Sequence, residues 1–221
     1  MRTTLLALAI TTVLAACTGQ QTPPTAATPA SAVASDAAMD ATFADLSKRT
    51  LAEWMALSPV NATQIGDHRF DGQLDDMSAT GRLKRVTANK KLLAELDAID
   101  ASKLSRENQV DAAILRNQLQ SDIWDMDVMQ SWAWDPQVYG GLAGSAIYGL
   151  MAREFAPLPQ RIASATERME KLPALFAQAR ENLDPARVPL IHAQTVAKQN
   201  AGILSIVDTF ITPHLGELPK A

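Results

Sequence analysis

WAWDPQVYGGLAGSAIYGLMAREFAPLPQR, residues 132–161, gathers four of the ten glycines and five of the eleven aromatic residues of a 221-residue chain. Gly140, Gly141, Gly144, Ala146 and Gly149 would let backbone approach backbone or ligand. Trp132, Trp134, Tyr139, Tyr148 and Phe155 supply large rigid surfaces. Such a stretch is either a buried junction between helices or the wall of a cleft, and rings at close spacing are most often core. Arg153, Glu154 and Arg161 at its end read equally as a buried ion-paired junction or as a solvated helix surface.

Outward from this stretch the apolar pattern has a helical period. Upstream, Met39, Phe43, Leu46, Thr50, Trp54 and Leu57 recur at three- and four-residue spacing, and Ser58-Pro59 stops that helix. Asn61 to Gly66 allows one further turn, and Asp67 to Ser78 is polar and turn-rich, so it reads as a loop. A second stripe runs from Thr80 to Ile99, and a third helix follows the N-cap signal of Ser105 with Asn108. It carries Val110, Ala113, Ile114, Leu115, Leu119, Ile123 and Trp124.

Asp135-Pro136 and the glycines are expected to delay the next helix to about Ala143–Arg153. Pro157 and Pro159 then open a long helix, with a kink or restart at Pro173. A last helix spans about Pro189 to Ile211. No alternating run reads as a strand pair. The expected fold is all-α, a bundle-like array of about six to eight helices.

The amino terminus carries an address. Arg2, the apolar run Leu5 to Val13 and Leu14-Ala15-Ala16-Cys17 resemble the signal segment and lipobox of bacterial lipoproteins. The resemblance implies a signal peptide over residues 1–16 and lipidation of Cys17, the only cysteine in the chain. It also implies anchoring to a membrane without spanning it. Thr18 after the cysteine, in place of Asp, resembles the pattern sorted to the outer membrane, so the expected place is the cell envelope, on the periplasmic face of that membrane. Residues 17–38 read as a flexible Thr/Pro/Ala/Ser tether, and residues 39–221 as one helical domain.

Loss of Arg2 takes the formal charge from −4 to −5. The basic residues are spread along helix faces, which excludes nucleic acid as a partner. Three histidines, His68, His192 and His214, stand far apart, so no zinc-peptidase helix motif is present. His68, near Asp67, Asp71, Asp75 and Asp76, is the best metal-ligand candidate, and those aspartates read equally as turn formers.

PVNATQIGDHRFDGQLDD (59–76), NQVDAAILRNQL (108–119), the stretch 132–161 and RMEKLPALFAQARENL (168–183) together resemble the amino-terminal part of the domain-of-unknown-function 885 proteins. The resemblance implies a bacterial, mostly helical lipoprotein similar to zinc-dependent metallopeptidases. It places the metal-binding His-Glu motif downstream of the matching region, so the chain is expected to be truncated at its carboxyl end, with zinc held only in a full-length relative. No catalytic residue is assigned. The expected role is to shape a substrate cleft with Trp132, Trp134, Tyr139, Tyr148, Arg153 and Glu154, its partners being a missing carboxyl-terminal domain or a peptide substrate. The alternative is a non-catalytic helical lipoprotein that binds a protein or a cell-envelope component.

Overall fold

A computed structural model describes residues 36–217. The expected signal peptide, Cys17 and most of the tether lie outside the described residues. Among those described there are eight α-helices and no strand. They are α1 (Ala37–Leu57), α2 (Pro59–Ile65), α3 (Ala79–Asp97), α4 (Arg106–Trp124), α5 (Ser131–Trp134), α6 (Gln137–Met151), α7 (Leu158–Asn182) and α8 (Leu190–Phe210). The packing is bundle-like, as the apolar stripes require.

Local chemistry sets most boundaries. Asp36 caps α1 by accepting the Ala38 N–H, so the helix begins at Ala37, two residues before Met39. Pro59 cannot continue α1 and instead starts α2, a full two turns that end at Gly66 with φ +95°. Ser78 and Ser105 cap α3 and α4 through the Gly81 and Asn108 amides. α7 runs unbroken through Pro173, which sits on its exposed side and lacks only the amide that would reach the Met169 carbonyl.

α1, α3 and α4 form one group around Phe43, Leu46, Leu92, Leu96 and Leu119. α6, α7 and α8 form the other, around Ile147, Leu150, Ile162 and Ala165. α2 joins them, touching α1 on one side and α6 on the other.

The central helix corrects the sequence reading. α6 starts at Gln137, six residues earlier than expected, with Gly140 and Gly141 inside it. Each glycine costs a helix roughly 0.5–1 kcal/mol against alanine. Burial between α7 and α8 outweighs that, since Tyr139, Ala143, Ala146, Ile147, Gly149, Leu150 and Met151 are all buried. Close approach does not explain these glycines. A Cβ at Gly140 or Gly141 would meet nothing within 4 Å, and at Gly144 and Gly149 only ordinary contacts at 3.7 and 3.9 Å.

Two other stripes are shallower than their composition suggests. On α4, Val110, Ile114 and Trp124 face solvent, and the buried residues are Ala112 and Leu119. α8 buries none of its side chains fully and leans on α6 through half-buried Ile203, Ile206, Val207 and Phe210.

The 67–78 segment is a loop, yet its middle is interior. Arg168 of α7, fully buried, donates to the carbonyls of Gln73 (2.8 Å), Ala146 (2.9 Å), Pro59 (3.0 Å) and Phe70 (3.4 Å) and to Thr63 Oγ1 (2.7 Å). One guanidinium thereby ties the loop to α2, α6 and α7. Burial holds its pKa below the ordinary arginine value, with Asp71 and Asp75 acting the other way. Arg161 does a similar task at the end of α6, donating to the carbonyls of Met151 and Ala156.

Candidate functional site

The break between α1 and α2 opens a cavity of about 690 Å³, within the roughly 300–1,000 Å³ usual for ligand sites. Its walls come from α1, α2, α3, the end of α4 and the outer face of α6. Ser58 offers α2 no side-chain cap, and Asp75 substitutes from the loop, its Oδ2 accepting the Val60 N–H at 3.0 Å. Arg85 of α3 donates to the Leu57 carbonyl at 2.9 Å and lies 3.6 Å from Asp75. These two charged residues clamp the helix break and face one another. Burial raises the Asp75 pKa, against the Val60 hydrogen bond and the charges of Arg85 and Arg168. Beside them Trp54 donates its indole N–H to Asn89 Oδ1 at 2.9 Å, and Asn89 is buried.

The opposite rim is irregular. α4 does not stop at Trp124 but widens into a π-helical turn, Asp125–Met129, followed by Gln130 in the left-handed region at φ 54°, ψ 46°. Among the described residues no other non-glycine has positive φ. Such turns recur at functional sites, and a left-handed non-glycine costs of order 1–3 kcal/mol, so the surroundings must fix it. Here they do. The indoles of Trp132 and Trp134 donate to the Met126 and Met129 carbonyls (3.2 and 3.0 Å), Ser131 Oγ donates to Asp125 (2.7 Å), and Arg187 donates to Gln130 Oε1 (2.8 Å). The WAW sequence thus satisfies carbonyls that the end of a helix would leave without donors.

Asp122 and Asp125, three residues apart, both line the cavity. Asp122 accepts from Gln118 Nε2 (2.8 Å) and Asp125 from Ser131 Oγ, both neutral donors. Neither carries an ion pair among the described residues, whereas Asp127 just beyond is paired with Lys90 at 2.7 Å. Burial raises the Asp122 pKa, the Gln118 hydrogen bond and Arg85 oppose it, and Asp125 adds to the rise.

The residues singled out from sequence divide. Trp132 reaches the cavity, one face stacked under the Arg82 guanidinium at 3.8 Å. Tyr139 is buried behind it and donates its hydroxyl to the Trp132 carbonyl at 2.6 Å. Trp134 turns away toward His192, ring centroids 5.5 Å apart, and His192 Nδ1 lies 3.0 Å from Asp135 Oδ1. Tyr148 is exposed and meets Phe210 edge-on. Of the two readings of the end of the stretch, Arg153 and Glu154 are exposed as a solvated surface would have them, Arg153 donating to the Gln64 carbonyl (2.7 Å), while Arg161 is buried and engaged by carbonyls rather than by an ion pair.

His68 stacks on Phe155 at 3.6 Å with Nδ1 3.0 Å from Asp71 Oδ2. Asp67 is held by Arg69, and Asp76 accepts the Ser78 N–H as a turn former. Asp75 is committed to Val60. The loop carboxylates therefore point to different partners, and among the described residues no group of three or more His, Cys, Asp or Glu could hold a metal ion. The side chains in place do not fit a zinc centre.

The sequence reading passed over Trp54, Asn89, Asp122 and Asp125. A signal for the last two was present in SDIWDMDVM (121–129), where acidic residues follow an amphipathic helix without a basic residue at i±3 or i±4.

Fold and cavity together define the class: an all-helical protein whose ligand-sized cleft lies beside a strained helix end. The chain belongs to the family described as bacterial proteins of unknown function, DUF885, which matches residues 59–219. A solved structure provisionally described as a lipoprotein of unknown function, from Shewanella oneidensis, is 30% identical and superposes with a TM-score of 0.75. That match covers 81% of this chain and 32% of the other, so this chain spans about a third of that protein's length. No curated protein matches. Among the described residues no helix is long and apolar enough to cross a membrane.

Proposed function

We propose that this chain is the amino-terminal, substrate-holding part of an envelope lipoprotein of the metallopeptidase type, tethered through Cys17, and that the cavity between α1, α2, α4 and α6 is where it grips a peptide. The carrying observation is the cavity itself: its lining combines apolar Trp54, Met55, Val60 and Leu142 with the amide side chains of Asn61, Gln64 and Gln118. Apolar walls with a few placed polar groups suit a peptide, which offers side chains and backbone hydrogen bonds along one line. The lipoprotein description of the Shewanella structure and the apolar segment before Cys17 support the anchor. On this reading residues 1–16 are the signal peptide and the tether that follows Cys17 ends at the Asp36 cap, two residues earlier than its composition suggests, since Ala37 and Ala38 belong to α1. No residue is assigned a catalytic step.

The test fills the cavity. Gly141 lines it, and a Cβ added there meets no atom within 4 Å. The neutral peptide acetyl-Ala-Leu-Gln-Leu-Ala-amide should change the tryptophan fluorescence of the full chain on titration. Gly141→Leu should abolish that change while leaving the circular dichroism intact. Unaltered binding by the Gly141→Leu chain would place the peptide elsewhere and refute the reading.

A further inference from the structure

Resting on that reading, we infer that the cleft selects a positively charged side chain, lysine or arginine, at one position of the bound peptide, and that Asp122 and Asp125 receive it. The cavity holds three carboxylates and one guanidinium. Asp75 and Arg85 are accounted for, because they clamp the α1–α2 break and lie against each other. Two negative charges remain on one face of the α4 terminus, three residues apart, each hydrogen-bonded only by a neutral group. Asp127, two residues on and outside the cavity, has Lys90 beside it at 2.7 Å, whereas Asp122 and Asp125 have no cation within ion-pair distance among the described residues, Arg85 acting on Asp122 only from farther off.

Geometry reinforces the charge. The π-turn and the left-handed Gln130 put Asp125 on the cavity side, and Ser131 fixes its carboxylate. Trp54 and Trp132, both lining the space, offer ring surface to the methylenes of a long basic side chain, which keeps its charged head at the polar end. A carboxylate on the ligand would meet two like charges, so the preference has a repulsive side as well.

The experiment varies one peptide residue. Acetyl-Ala-Leu-Xaa-Leu-Ala-amide with Xaa as Lys, Gln or Glu is titrated against the full chain in nanodiscs of a zwitterionic lipid, which give a cationic peptide no anionic surface to bind. The lysine peptide should bind about tenfold more tightly than the glutamine peptide, the effect of one half-buried ion pair, and the glutamate peptide most weakly. Asp122→Asn and Asp125→Asn should each shrink the lysine advantage, and the double change should erase it. Asp127→Asn, outside the cavity, should leave it intact. Equal binding of the lysine and glutamine peptides, both sensitive to Gly141→Leu, would overturn the charge selection and leave the cleft standing. Absence of binding by all three would overturn both.

Discussion

Replacing Arg168 with Met should destabilise the fold by about 3 kcal/mol, and the number comes from counting acceptors rather than hydrogen bonds. Five bonds from a charged donor at roughly 1.5–3 kcal/mol each would exceed the whole stability of most domains, so that sum cannot be the loss. Three of the four carbonyls keep another donor. Pro59 O and Ala146 O still accept within their own helices, and Phe70 O accepts from the Gln73 amide. Thr63 Oγ1 still donates to Asp71. The Gln73 carbonyl accepts no other hydrogen bond among the described residues, and a carbonyl left without its donor costs up to about 1–3 kcal/mol, less where water reaches it. Asp71 and Asp75 also lose the buried cation that offsets their charge, which brings the total into the range of about 2–4 kcal/mol. Urea unfolding of the full chain, followed by far-UV circular dichroism, reads this directly. With a slope near 2 kcal/mol/M the midpoint should fall by about 1.5 M, and Arg168→Lys should recover less than half, since an ammonium cannot reproduce the fork. A fall under about 0.3 M at unchanged slope would show that the loop is held by something other than this guanidinium.

Three further outcomes are expected. Gly140→Ala should stabilise the protein by about 0.5–1 kcal/mol, because the added methyl meets open space inside a helix; a lower thermal midpoint would contradict the α6 start at Gln137. Asp122→Asn should stabilise it at pH 7. Burial raises the folded pKa, so the stability tied to this group is present below its ordinary value of 3.8 and lost as pH rises through the raised one; the gain should vanish near pH 3.5, and a pH-independent gain would point to another cause. Cys17→Ser should leave the protein without incorporated fatty acid, and persistent label would refute the anchor.

Elements with a strong local signal were legible. The α1 stripe of Phe43, Leu46 and Thr50 is buried as its spacing requires, and Ser105 caps α4 through the Asn108 amide. The α6 start was not legible, since glycine is judged by its local cost while the two flanking helices that outweigh it come from residues 158–210. The same long-range origin hid Arg168, an ordinary helix residue until Gln73, Pro59 and Ala146 converge on it. Of the candidate site, Trp132 was identified and its neighbours Trp54 and Asn89 were not, because their meeting is a tertiary event between α1 and α3.

The irregular end of α4 shows why stability alone does not account for this rim. A plain helix ending at Trp124 with a glycine at position 130 would remove the left-handed strain at no loss of core, for Asp125 to Met129 includes no buried residue. Instead both indoles of the WAW segment are spent on carbonyls of the turn, an arginine is spent on Gln130, and a hydroxyl on Asp125. The combined effect is to fix Asp125 and Trp132 on the cavity wall, three residues along from an Asp122 whose ionisation burial disfavours. The left-handed Gln130 works against the folded state in isolation, and the hydrogen bonds that hold it in place fix a negative rim. That arrangement is the one expected where binding geometry, rather than packing, has set the local structure.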